Sequence, residues 1–241
     1  LPVSDIVLDE SPSFTSNRIL ASLSPASYRR LRAGAQPVKL AYGEVLYEPA
    51  STIRFVYFPA DCLVSLLTEV DKSRTLEVGM VGHEGMVGMP ITLGVRTSAV
   101  RALVQGSGSA LRMSAKGLLE ELKANAPLQG ALLRYQYLLM AQISQTAACN
   151  RFHEAGPRLA RWLLMTSDRL RADEFRLTHE FLAHMLGVRR VGVTEAAGVL
   201  EADKLIEYSR GQIRILNRKR LEAAACSCYL IVQKLQRTVP A

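Results

Sequence analysis

Two adjacent arginines, Arg189 and Arg190, carry the most suggestive chemistry in this 241-residue chain. They head a helical run in which Val193, Ala197 and Leu200 fall on one face, while Arg189, Arg190, Thr194 and Glu195 fall on the other. Arginine pairs in bidentate fashion with O6 and N7 of guanine, which makes Arg190 the leading candidate for reading a base. Arg189 suits a base or a phosphate, and Thr194 a phosphate or a thymine methyl. Glu195 suits cytosine N4 or a steadying contact to an arginine.

Other reactive residues form weaker patterns. Cys62, Cys149, Cys226 and Cys228 are too few and too irregular for a disulfide framework, and they suit a reducing cytoplasm. Cys226-x-Cys228 falls on an expected helix, where residues two apart face different ways. With no second pair or nearby histidine, a buried thiol pair is expected and no metal site. His83, His153, His179 and His184 make no zinc-protease motif, and no Ser/His/Asp or paired-carboxylate arrangement stands out, so an enzyme is not expected. Gly82, Gly85 and Gly88 match neither the dinucleotide fingerprint nor the P-loop and are read as hairpin turns. Their loop still suits an anionic ligand inside the β domain, with Glu84, Gly88, Arg96, Thr97 and Ser98 as lining candidates for an effector.

The arginine pair needs a frame to present it. Thr178 is a good N-cap for a helix over 179–186, and Gly187 permits the sharp turn that follows. A second helix from about Arg189 to Ala202 completes a helix-turn-helix, with Gly192, Ala196, Ala197 and Gly198 small enough for close packing. Strands over 205–208 and 212–216 make a wing, with Ser209, Arg210 and Gly211 at its tip and Arg210 placed to touch a DNA backbone. Thr178 and His179 open the first helix, where free backbone N–H groups favour a phosphate.

Upstream, the chain reads as an α+β protein. Residues 1–16 look like a loose arm, without the basic-then-apolar pattern of a signal peptide. Residues 17–34 break into two short helices at Ser24-Pro25. Short β-prone runs recur from Val38 to Met113, punctuated by turn residues such as Asp71-Lys72-Ser73; Pro49 and Pro59 belong at strand ends. Ser114 caps a short helix, and a long helix follows from about Pro127 to Phe152. Leu128, Leu132, Tyr135, Leu139, Gln142, Thr146 and Cys149 form a heptad-like seam along it. That seam suits packing on its own domain or pairing with a second copy; the flanking Leu133, Leu138, Met140 and Ile143 favour the pairing. Gly156-Pro157 is expected to end the helix. The resulting division is 17–125, 126–155 and 156–241.

Charge agrees with a polyanionic partner. Residues 1–150 hold 14 Lys and Arg against 12 Asp and Glu, whereas residues 151–241 hold 16 against 10. No run of 18 apolar residues suggests a membrane partner.

A jelly-roll-like β-roll, a long helix and a winged helix-turn-helix, in that order, resemble the Crp/Fnr family of bacterial transcription regulators. The likeness is most specific over 177–217, in THEFLAHMLGVRRVGVTEAAGVLE and LIEYSRGQIRILNR, and is echoed by Gly43-Glu44, by VYFP at 56–59 and by VGHEGMVGM at 81–89. It implies a homodimer, a cyclic-nucleotide-binding-like sensor domain, a two-fold double-stranded DNA operator, and RNA polymerase as a candidate partner. Cyclic-nucleotide-binding members carry Gly-Glu and then Arg with Ser or Thr. Here Met89 follows Gly88 where Glu is expected, and Arg96-Thr97 comes after a shorter loop. An effector other than cyclic AMP bound in the usual manner is therefore expected. Val191 and Glu195 replace the Glu and Arg that many members carry, so the operator should differ. The N-terminal region lacks cysteine, so an iron–sulfur cluster is not expected. The alternative is a ligand-binding module whose helical C-terminal region binds protein rather than DNA.

Overall fold

The computed structural model describes residues 16–71 and 74–239. Residues 1–15 of the expected arm, and Lys72-Ser73 of one expected turn, lie outside them. Seven strands make two antiparallel sheets. One has the order β1 (Ala35–Leu40), β7 (Gly108–Ser114), β3 (Phe55–Pro59). The other has the order β2 (Val45–Tyr47), β6 (Arg101–Gly106), β4 (Leu63–Asp71), β5 (Arg74–Val81). Pro59 ends β3, and Pro49 lies beyond β2, where no ladder bond is lost.

The run Leu63–Leu67 is buried residue after residue instead of alternating. Val64 and Leu66 face the first core with Phe58, Val81 and Leu111. Leu63 and Leu67 face the other way and join Met80 in a second core around Trp162 and Leu163. A sheet covered on both faces needs apolar side chains on both sides of its strands.

Helices α1 (Arg18–Ala21) and α2 (Pro25–Ala33) precede the β-roll, with Ser24 Oγ accepting from the Ser27 amide at 3.2 Å. After β7, Ser114 caps α3 (Ala115–Ala124) and Asn125 caps α4 (Ala126–Phe152). At 27 residues α4 is about 40 Å long. The seam expected to meet a second copy turns inward instead: Leu128, Leu132, Tyr135, Gln142, Thr146 and Cys149 are buried against this chain. The tightest approach is at Gly85, where a Cβ would lie 2.0 Å from the Tyr135 ring. That position rejects any side chain, which gives this glycine a packing role and not a phosphate-loop one.

Helix α5 (Ala155–Leu170) follows at once. Gly156 and Pro157 stand in its first turn; they do not end α4, which stops at Phe152. α5 is buried nearly all round and takes Arg158, Arg161 and Arg169 in with it. Arg169 Nε donates to Glu84 Oε1 at 2.7 Å and its Nη2 to Gln142 Oε1 at 2.8 Å. Trp162 Nε1 donates to Glu77 Oε1 at 2.8 Å. These bonds satisfy polar groups that burial would otherwise penalise by a few kcal/mol each, on the order of 1–3.

The chain then forms β8 (Glu174–Arg176), α6 (His179–Leu186), α7 (Arg190–Ala202), β9 (Ile206–Ser209) and β10 (Gln212–Ile215). The small sheet has the order β8-β10-β9. Helices α8 (Arg218–Ala224) and α9 (Cys228–Thr238) close the described chain, α9 lying against α4. Among the described residues, no helix is long and apolar enough to cross a membrane.

Candidate nucleic-acid interface

α6 begins where Thr178 Oγ1 accepts from the Phe181 amide at 3.1 Å. It ends at Gly187, whose φ of +61° is the left-handed conformation that reverses the chain. Val188 and Arg189 lead into α7. Arg189 occupies the N-cap position without a side-chain cap bond, so its guanidinium is not committed to the helix. Val193, Ala196, Ala197 and Leu200 are buried against α5 and α6. The opposite face is open: Arg190, Val191, Thr194, Glu195, Gly198 and Val199 are all exposed. Ala196 and Ala197 do provide close packing, but Gly192 and Gly198 do not. A Cβ added to either would meet nothing within 4 Å, so their smallness clears the outer surface instead.

His179 and Thr194 are brought together. Thr194 Oγ1 lies 3.0 Å from His179 Nδ1 and donates to the Arg190 carbonyl at 3.1 Å. The one hydroxyl proton goes to that carbonyl, which leaves His179 Nδ1–H as the donor to the hydroxyl. The ring stacks on Tyr208 of β9 with centroids 4.4 Å apart. Burial, then the charge of Arg190, pushes the His179 pKa below its ordinary value. His179 thus braces helix, recognition helix and wing. Tyr208 was not visible from sequence as part of this site, because cross-strand stacking depends on register.

Arg210 and Gly211 form the wing turn with φ of +50° and +78°, the conformation that matches the strand twist. Ser209 and Arg210 are exposed there. Arg214, behind the tip, is held by Glu174 at 3.1 Å and Glu207 at 3.5 Å. Thr178, Arg189, Arg190, Glu195, Ser209 and Arg210 therefore share the accessible surface of the winged unit.

The expected effector residues separate. Gly88, Thr97 and Ser98 line a cavity of 370 Å³ between the β-roll and α4. Glu84 and Arg96 do not line it. Glu84 is buried in its pair with Arg169, and Arg96 is exposed. Leu66, Val81, Met86, Met89, Leu139 and Ile143 dominate the walls, and no charged side chain lines them. Ser98 Oγ is spent on the Val100 carbonyl at 2.6 Å.

The thiols are buried and free as expected, but two premises of that reading, a shared helix and no histidine nearby, do not hold. Cys226 precedes α9 and Cys228 opens it, so the pair straddles a helix start and is not spread over helix faces. Cys149 and His153 from the end of α4 join them. The available signal was the i, i+4 spacing of Cys149 and His153. The Cys149–Cys226 hydrogen bond, then burial, pushes the Cys149 thiol up, and the same bond brings Cys226 down.

The described chain thus joins a β-roll, a long helix and a winged helix-turn-helix with an open arginine-bearing face. Residues 157–224 match the Crp-like helix-turn-helix domain. The chain thus carries a Crp-like domain within the architecture of the Crp/Fnr regulators. The fold is similar to that of FixK2 from Bradyrhizobium japonicum, at 16% identity over 80% of this chain and 98% of that one, with a TM-score of 0.68. It is similar to CLP, the c-di-GMP-responsive global regulator of Xanthomonas campestris, at 19% identity over 80% and 99%, with a TM-score of 0.66. A CRP-family transcriptional regulator of Thermus thermophilus shares 18% identity over 79% and 97%, with a TM-score of 0.65. No curated protein matches the chain.

Proposed function

We propose that this chain is a homodimeric, cytoplasmic transcription regulator that binds a two-fold DNA operator sequence-specifically. The observation that carries this is the outer face of α7, where Arg190, Val191, Thr194 and Glu195 are exposed. Arg190 reads a guanine edge, and Arg189 a base or a phosphate. Thr194 has committed its hydroxyl to His179 and the Arg190 carbonyl, which leaves its methyl for a thymine methyl. Backbone amides at Thr178–His179 and the wing residues Ser209 and Arg210 hold phosphates.

The second copy meets the outward face of α4. Leu133, Tyr137 and Met140 repeat there at heptad spacing, 54%, 49% and 60% exposed. Residues 17–125 serve as sensor, 126–155 as the dimer helix and 156–241 as the DNA-binding unit. The cavity in the β-roll suits a neutral, largely apolar effector. Because Leu139 and Ile143 form part of its wall, filling it bears on the dimer helix.

Selection of bound sites from random DNA tests the reading. Binding should weaken by orders of magnitude between about 50 and 200 mM salt through counterion release. Arg190→Ala should cost ~1–3 kcal/mol and relax one base position in each half-site. An unchanged preference removes Arg190 as reader, and no DNA binding at low salt defeats the proposal.

A further inference from the structure

The end of α4, the start of α5 and the turn before α9 converge on four groups with no assigned role. Cys149 lies in the last turn of α4, and His153 caps that helix with its amide donating to the Cys149 carbonyl at 3.1 Å. Cys226 is held beside them by its amide, which donates to the Pro157 carbonyl at 3.2 Å. Cys149 Sγ lies 3.5 Å from Cys226 Sγ, and Cys228 Sγ lies 3.5 Å from His153 Nδ1. All four ligand atoms fall within 4.8 Å of one another.

These distances discriminate. The sulfurs of Cys149 and Cys226 are well beyond the ~2.05 Å of a disulfide. A tetrahedral zinc with Zn–S near 2.3 Å and Zn–N near 2.0 Å spaces its ligand atoms about 3.3–3.8 Å apart. Small side-chain rotations reach that geometry. A group this tight encloses one ion and not a multi-iron cluster, and three thiolates with one imidazole favour zinc among common divalent ions.

The surroundings point the same way. Arg158 and Arg161 are 5% and 4% exposed. Neither forms an ion pair with a carboxylate among the described residues, and the Nε of each is buried without a partner. Both interact electrostatically with the Cys149 and Cys226 sulfurs. Two buried cations beside three neutral thiols leave charge uncompensated; a zinc centre with three thiolates carries one net negative charge and offsets it. Gln145 Nε2 already donates to Cys228 Sγ at 3.0 Å, an orienting bond that suits a thiolate ligand.

We propose that Cys149, His153, Cys226 and Cys228 bind one zinc ion that fastens α9 to the end of α4. Binding replaces three S–H bonds with three Zn–S bonds and releases three protons to solvent; no electrons move. The centre is independent of the DNA-binding role. It also adjoins it, because Arg158 donates both to Asn150 and to the Leu186 carbonyl that ends α6.

The test uses the intact chain with reduced thiols. Elemental analysis should find about one zinc per chain. After zinc removal, titration with Co²⁺ should saturate near one equivalent and give thiolate-to-cobalt charge-transfer bands with the strong visible bands of tetrahedral coordination. Cys226→Ser and His153→Ala should each weaken Zn²⁺ binding tenfold or more in chelator competition, on the order seen when a metal shell is disturbed. Cys62→Ser, in the β-roll, should leave it unchanged. If the cluster variants do not fold, the wild-type cobalt titration decides alone. Reduced wild-type protein that takes up neither ion, or that gives cobalt spectra without thiolate bands, overturns the proposal. Isolation of the metal-free protein with Cys149 and Cys226 joined as its resting state does so too.

Discussion

The β4–β5 hairpin meets the helical half of the molecule at two surfaces built on opposite principles. Along α5 the contact is buried and closed: beside the apolar packing of Leu63, Leu67 and Met80 on Trp162 and Leu163, Trp162 donates to Glu77, and Arg169 donates to Glu84, just past β5, and to Gln142 of α4. At the α6–α7 turn, Leu76 leans on Gly187 beside an open cleft of 500 Å³ that also touches Val70, His184 and Arg189. Partial opening of the first surface strands charges in a poorly solvating interior, so it stays closed or comes apart as a unit. Opening the second parts β5 from α6 but separates no ion pair among the described residues. A signal of the kind proposed above would therefore work against the second surface and leave α5 seated on the β-roll.

Removing a charge from the closed surface should give the largest effect. Arg169→Ala leaves Glu84, 8% exposed at its side chain, without its cation, and Gln142 without a donor. A loss of ~3–5 kcal/mol is expected in urea denaturation at pH 7. A loss below about 1 kcal/mol would show that the two surfaces do not differ in kind.

Glu77 sharpens the comparison, because its place in the closed surface carries a cost. Burial pushes its pKa from 4.5 up to about 7, against hydrogen bonds from Ser65 and Trp162 and the charges of Arg161 and Arg169. The hydrogen bonds agree. Ser65 Oγ lies 2.6 Å from Glu77 Oε2 and 2.5 Å from Gln105 Oε1, yet has one proton to give. A protonated Glu77 donates to Ser65, which then donates to Gln105. Between pH 4.5 and 7 the unfolded chain releases this proton while the folded chain keeps it. Stability therefore falls as pH rises through that window, by at most roughly 3 kcal/mol. Glu77→Gln keeps the bonding pattern without the titration. It should match wild type near pH 5 and exceed it by ~1–3 kcal/mol at pH 8. Equal stabilities at pH 8 would place the charge in a better solvated setting than the structure gives it.

How far such features could be read from sequence depends on how local their signals are. The Thr178 cap, the Gly187 turn and the Arg210-Gly211 hairpin are set by neighbours within a few residues, and all stand where the sequence puts them. The α4 heptad marks an apolar face correctly but says nothing about its occupant. That occupant is the β-roll and α9, and the outward Leu133, Tyr137 and Met140 form a second, thinner stripe. Gly88, Thr97 and Ser98 meet at one cavity, but Glu84 lies one strand-end away and turns to an arginine on α5. That choice depends on a contact 85 residues distant in the chain. Arginines such as Arg158, Arg161 and Arg169 ordinarily lie on a helix surface. They are buried because α5 is packed between the β-roll and the winged unit, a layering no local pattern encodes.

The smallest expected effect bears on the open surface itself. Gly187 has φ of +61°, and a Cβ there would lie 2.7 Å from Leu76 Cδ1. Gly187→Ala should therefore cost ~1 kcal/mol for the left-handed backbone, plus whatever Leu76 loses in moving aside. Only the second part depends on the hairpin being in place. In a Leu76→Ala background the same substitution meets no leucine, so its cost should drop by about 0.5 kcal/mol or more. Urea denaturation of the four proteins measures the difference. Strict additivity would mean that Leu76 and the turn stand apart in solution. A positive coupling would mean that the turn is held, lightly, at the place where a regulatory signal has least to overcome.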